Sequence, residues 1–133
     1  MQGLIVDWGG VLTMPIHTAI GSWLTATGVD RDHYGEVLRR WVEPLPGEMS
    51  PVHQLERGEI AVEEFERLLS SALSREGSMV EAQGLVSTMF ADLAIYEDSM
   101  TSLVTRAHAA GIRTGLLSNS WGNEYDRSDW HEM

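Results

Sequence analysis

Two short apolar runs, far apart in the chain, each end at a residue able to do chemistry. Leu4-Ile5-Val6 runs into Asp7 and then Trp8-Gly9-Gly10. Thr114-Gly115-Leu116-Leu117 runs into Ser118-Asn119. A carboxylate that is desolvated and aimed becomes a useful nucleophile. A carboxylate and a hydroxyl meeting at one place would be the beginning of a covalent-catalysis site. Each run is too short for a helix and suits a strand buried on both faces. Ligands of open parallel sheets sit beyond the carboxyl ends of the strands. Neighbouring strands would therefore bring Asp7 and Ser118 into one site.

Other metal and phosphate motifs are lacking. His17, His33, His53, His108 and His131 show no paired ligand spacing, so no zinc site is expected. Gly9-Gly10 is not followed by the Gly-Lys-Ser/Thr of a P-loop. Arg39, Arg40 or Arg57 could meet a substrate anion, but a solvated face is the commoner fate of such residues. Trp8 could line a pocket or simply pack; both readings stand.

The segment between the two runs reads as successive helices. Ile20, Trp23, Leu24 and Thr27 share a face, and Gly28 is a stop. Asp30 is placed to cap a helix whose inner stripe is Tyr34, Val37, Leu38 and Trp41. Ser50-Pro51 reads as an N-cap with proline at the first helical position, and Gly58 closes that helix. Glu63 and Glu64 open the next, whose apolar stripe is Phe65, Leu68, Leu69 and Ala72. Ser78 and Glu81 have capping-box spacing and should open a helix carrying Ala82, Leu85, Val86, Met89 and Phe90 inward. Asp98 should cap a last helix with Met100, Leu103, Val104 and Ala107 inside, ending at Gly111. Strand Ile112 to Leu117 would follow.

A plain crossover between parallel strands needs far fewer residues than lie between Val6 and Thr114. The middle is therefore expected to form its own small helical layer, residues 15–92. Residues 1–14 and 93–133 would supply an α/β core.

Bulk properties narrow the classes. The chain has 133 residues, 43% of them hydrophobic, enough for a compact domain with a real core. It has no cysteine, which excludes disulfides and thiolate metal sites and fits a reducing, cytoplasmic setting. The net charge of −11 argues against a nucleic-acid partner. No apolar stretch approaches membrane-spanning length, and the start lacks a signal-peptide pattern. All nine basic residues are arginine.

Leu4-Ile5-Val6-Asp7-Trp8-Gly9-Gly10-Val11-Leu12-Thr13 resembles motif I of the haloacid dehalogenase-like (HAD) hydrolase superfamily. Leu116-Leu117-Ser118-Asn119-Ser120 resembles its motif II. Leu55-Glu56-Arg57-Gly58-Glu59-Ile60 with Glu63-Glu64-Phe65 is similar to the helical cap of the subgroup whose cap follows the first strand. The resemblance spans essentially the whole chain. It implies a partial Rossmann-like, doubly wound parallel core with an inserted α-helical cap.

It also implies a magnesium-dependent phosphatase acting on a small phosphorylated metabolite. The residue matching Asp7 would attack phosphorus and become an aspartyl-phosphate. Mg2+ would be held by Asp7 and the Gly9 carbonyl, and the residue matching Ser118 would hydrogen-bond a phosphoryl oxygen. Trp8, Gly10 and Asn119 are the expected substrate-binding positions.

The chain departs from the family pattern in two ways. The second aspartate of motif I, a general acid and base, is replaced by Gly9. The lysine of the third motif is absent, and Asp126 and Asp129 follow motif II too closely to be the acidic metal ligands of the fourth. The chain is expected to be the front part of such a hydrolase, poorly active or inactive alone, with an open sheet edge that invites homo-oligomers. A metal-independent carbon–halogen hydrolase and a non-catalytic interaction module are the alternatives.

Overall fold

The computed structural model describes residues 3–119. The fold is mixed α/β and mostly helical. Strand β1 is Gly3–Val6 and strand β2 is Arg113–Leu116. Between them lie α1 (Ile16–Thr27), α2 (Arg31–Val42), α3 (Pro51–Glu56), α4 (Val62–Glu76), α5 (Leu85–Met89), a 3-10 turn (Ala91–Ala94) and α6 (Asp98–Ala109).

Several helix ends follow from local chemistry. Gly28 ends α1 in the left-handed conformation at φ 71°, which glycine adopts without steric cost. Asp30 caps α2 by accepting from the backbone N–H groups of Asp32 and His33. These bonds, His33 first, hold its carboxyl below the usual carboxylate range. Ser50 caps α3 by accepting from His53 N–H, with Pro51 at the first turn. The Ser50 hydroxyl also donates to the Trp41 carbonyl, fastening α3 to the end of α2.

The apolar stripes of α1 to α5 meet in one core. It includes Trp23, Leu24, Val37, Leu55, Phe65, Leu69, Leu73, Leu85 and Met89. Phe65 has no exposed surface. Such a residue contributes about 1.5–3 kcal/mol relative to leaving it in water. Trp41 meets Phe65 edge-on at a centroid distance of 5.7 Å, and Trp23 meets Tyr34 likewise at 5.8 Å.

The strands differ from the expected doubly buried type. They pair in parallel, with Gly3 opposite Arg113 and Val6 opposite Leu116. Helix α6 packs on one face of this pair. Val6, Leu12, Val104, Thr105, Thr114 and Leu116 line an open groove there of about 270 Å3. On the strands themselves Ile5 remains 71% exposed, and Leu117 just beyond β2 is 73% exposed. Among the described residues, two strands with a single helix have too little material to cover both faces. None of Met100, Leu103, Val104 and Ala107 of α6 is fully buried, for the same reason.

Three further expectations are corrected. Thr27 is exposed rather than on the inner face, and its hydroxyl donates to the Trp23 carbonyl. Ser78 and Glu81 form no capping box. The Ser78 hydroxyl accepts from Asp30 N–H at 3.1 Å and bonds His33 Nδ1 at 2.8 Å, while Glu81 accepts from Ala82 N–H. Helix α5 starts only at Leu85, after Gly84, leaving Ala82 outside it. Asp98 is the first residue of α6, and its cap is Glu97 without a side-chain bond. The sheet-like hydrogen bond from Glu97 N–H to the Leu12 carbonyl holds that residue extended.

The start of α5 is satisfied instead by buried Glu66 from α4. Its carboxylate accepts from Val86 N–H at 2.9 Å and Gly84 N–H at 3.2 Å. Glu66→Ala should lower stability by about 2–3 kcal/mol in urea unfolding, with Glu66→Gln losing less, because amides bonded to a charged partner would lose it inside the protein. A loss below about 0.5 kcal/mol for the alanine variant would refute this account.

Burial pushes the Tyr34 phenol up to about 12. Between pH 10, the ordinary tyrosine value, and about 12 the folded protein keeps this proton while the unfolded chain has lost it. The contribution of neutral Tyr34 is therefore complete below pH 10 and is lost as pH rises through that window. Thermal melts across it should show a steeper decline for the wild type than for Tyr34→Phe.

Candidate functional site

The parallel register decides which residues share an end of the sheet. Val6 lies opposite Leu116, and the Leu117 N–H donates to the Val6 carbonyl at 3.0 Å. Asp7 therefore leaves β1, and Ser118 follows β2, at the same carboxyl end. Both residues are exposed. Asp7 Oδ1 accepts from Trp8 N–H at 2.7 Å, and the Ser118 hydroxyl donates to the Asn119 carbonyl at 3.3 Å. These contacts are local, and neither joins the acid to the alcohol.

After Asp7 the chain closes a compact turn. The Trp8 carbonyl accepts from the N–H groups of Val11, Leu12 and Thr13 at 3.3, 3.0 and 3.2 Å. Gly10 has φ +78°, a conformation that strains residues bearing a Cβ. A Cβ on either Gly9 or Gly10 would lie 3.6 Å from an Ile16 side-chain carbon, so the glycines pass close to the start of α1. Trp8 is half-buried beside this turn.

Thr13 holds the turn together, a role the sequence reading did not assign. It is 1% exposed, and its hydroxyl accepts from Gly10 N–H at 3.0 Å. The same hydroxyl is 3.4 Å from the Trp8 carbonyl and 3.3 Å from the Met14 carbonyl, which can take its proton. Thr13 also bridges Tyr96 in antiparallel fashion, with Met14 N–H donating to Ile95 and Glu97 N–H donating to Leu12. The spacing of a threonine three residues after Gly10 was the available local signal. Its bridge to the returning chain had none.

Compared with known proteins, the chain matches no family model and no curated protein. Asp7 supplies one carboxylate and Gly9 one backbone carbonyl. Magnesium is commonly held by one or two carboxylates, with water and phosphate oxygens completing the shell. The pair suits part of such a shell. Among the described residues no group of three or more His, Asp or Glu side chains is arranged to hold a metal.

The arginines considered for anion binding have other partners. Arg39 pairs with Glu36, Arg40 with Glu76, and Arg57 with Glu59, all at the surface. Ser120, Asp126, Asp129 and His131 lie outside the described residues. No helix among the described residues is long and apolar enough to cross a membrane.

Thr13→Val keeps the shape of the side chain but removes the acceptor of Gly10 N–H. It should cost about 1–3 kcal/mol, the scale of an amide left unsatisfied. Amide hydrogen exchange should quicken at Gly10 more than at Phe65 in the helical core. Unchanged stability together with unchanged Gly10 exchange would show that the hydroxyl does not hold the turn.

Proposed function

We propose that the chain carries the nucleophilic part of a HAD-like hydrolase, with magnesium-dependent cleavage of a small phosphorylated metabolite as its reaction. The fold on this reading is a partial Rossmann-like core with residues 15–92 inserted as a helical cap. One observation carries the reading: parallel pairing of β1 and β2 puts the exits to Asp7 and Ser118 at one sheet end. Ligands gather at that end in open α/β sheets.

Asp7 attacks phosphorus through a carboxylate oxygen, and the bond to the leaving oxygen breaks. The Ser118 hydroxyl donates to a phosphoryl oxygen as charge builds there. Gly9 and Gly10 bring no side chain of their own to the strand end, where Ile16 of α1 lies against them. Water then cleaves the aspartyl-phosphate. Magnesium, when held by Asp7 and the Gly9 carbonyl, supplies charge screening for the phosphoryl oxygens. Gly9 has no side chain with which to exchange a proton, so turnover is slow.

The bare sheet face favours a second reading. Exposed Ile5 and Leu117 suit a surface that joins a partner or a second copy, as an interaction module would.

An aryl phosphate assay separates the two. Slow phosphate release should require magnesium and fall by roughly 10^3-fold or more in Asp7→Asn, the scale of losing a nucleophile. Release that is unaffected by Asp7→Asn would sink the hydrolase reading. Halide release from a haloacid without metal would replace it with the dehalogenase alternative.

A further inference from the structure

The groove between α6 and the sheet reaches the same end as the candidate site. Val6 lines it and is followed directly by Asp7. Leu116 lines it opposite Val6, two residues before Ser118. Leu12 lines it from the compact turn after Asp7, where its N–H donates to the Trp8 carbonyl at 3.0 Å. Val104 supplies wall on the α6 side. An occupant of the groove thus has one end beside the exits to Asp7 and Ser118.

The walls decide what that occupant can be. Val6, Leu12, Val104 and Leu116 are aliphatic, and every lining residue is uncharged. Thr101 and Thr105 also line the groove, but their hydroxyls are engaged by the helix. Thr101 donates to the Glu97 or Asp98 carbonyl, at 3.3 and 3.1 Å, and Thr105 to the Thr101 carbonyl at 2.9 Å. A sugar would give up water there for few new hydrogen bonds, a cost that an alkyl chain does not meet. The volume of about 270 Å3 exceeds the roughly 150 Å3 of an apolar cavity that takes up benzene. It falls just below the range of about 300–1,000 Å3 usual for drug-sized ligands. An aliphatic chain of about six carbons suits a space between those sizes.

Resting on the reading of Asp7 as nucleophile, we infer that the substrate is the phosphate monoester of a medium-length aliphatic alcohol. Its alkyl chain lies in the groove and its phosphate at the strand ends. The chemistry is the hydrolysis proposed above. The bond from phosphorus to the alkoxy oxygen breaks, and in the end the oxygen of one water takes its place on phosphorus. One proton of that water is matched on the released alcohol, and the other stays with hydrogen phosphate. The chain is remote from the reacting bond and is held equally before and during the reaction, so it acts on KM rather than kcat.

The test uses the full chain with magnesium and the series methyl, butyl, hexyl and octyl phosphate. From methyl to hexyl phosphate, kcat/KM should rise about two- to fourfold per methylene, the scale of burying one such group, and level off at octyl. The gain should lie in KM. Val104→Trp puts a large side chain into the groove and should remove the gain. A second measurement needs neither a variant nor turnover. Hexylphosphonate, which has no ester bond to cleave, should shift the methyl NMR signals of Val104 and Leu116 and leave those of Leu69 in the helical core in place. Asp7-dependent cleavage that ignores chain length, with the groove methyls unmoved, would overturn the groove assignment and keep the hydrolase reading. Shifted groove methyls without Asp7-dependent phosphate release would keep the groove as a binding site and overturn the hydrolase reading. Neither shift nor release would overturn both. Groove methyls that move with protein concentration alone would give the groove to a second copy of the chain and overturn the assignment.

Discussion

The parallel pairing of β1 with β2 is the constraint on which the candidate site depends. Four residues on each side, more than a hundred positions apart, lie in register from Gly3 opposite Arg113 to Val6 opposite Leu116. Closing so long a loop has an entropic cost that grows only slowly with length. The intervening chain offsets that cost by folding around its own core. Helix α6 then delivers β2 beside β1, and the Thr13–Tyr96 bridge ties the start of the insertion to its return. If the register slipped, the exits to Asp7 and Ser118 would move apart along the strands.

The two parts of the molecule are unequally finished. Helices α1 to α5 enclose Phe65, Leu69 and Leu73 almost completely. The sheet has α6 on one side, while Ile5 stays largely exposed. A small parallel sheet is ordinarily covered on both faces. The exposed face is thus a place where further polypeptide would gain most by burial. The sheet end and the sheet face are different surfaces, so the proposed hydrolysis and the binding of a partner would not compete.

The sequence was easiest to interpret where a side chain meets its own neighbourhood. Gly28, Asp30 and Ser50-Pro51 mark helix ends through contacts within a few residues, and these ends lie where the pattern places them. The apolar spacing of Phe65 and Leu69 likewise marks a buried helical stripe, which Leu73 rather than Ala72 completes. Ser78 shows the opposite case. Its spacing to Glu81 resembles a cap, yet its hydroxyl bonds partners 45 and 48 positions away. The amides at the start of α5 are taken by Glu66, which precedes Val86 by 20 positions. Local spacing cannot reveal a competitor that distant. For the candidate site, Asp7, the glycine turn and Ser118 were legible as residue types at strand ends. The part played by Thr13 was not, because it depends on the returning segment around Tyr96.

The sequence by itself determined the chemistry on offer: a lone carboxylate before two glycines, a hydroxyl after a second apolar run, no lysine and no thiol. It also determined most helices, since their periodicity and caps are short-range properties. Only the tertiary structure decided that the two runs are parallel neighbours and that their carboxyl ends coincide. It alone revealed that, among the described residues, helix α6 covers one face of the sheet while Ile5 on the other stays exposed. Pairing and burial are relations between distant segments, fixed by which surfaces the folded chain can bring together.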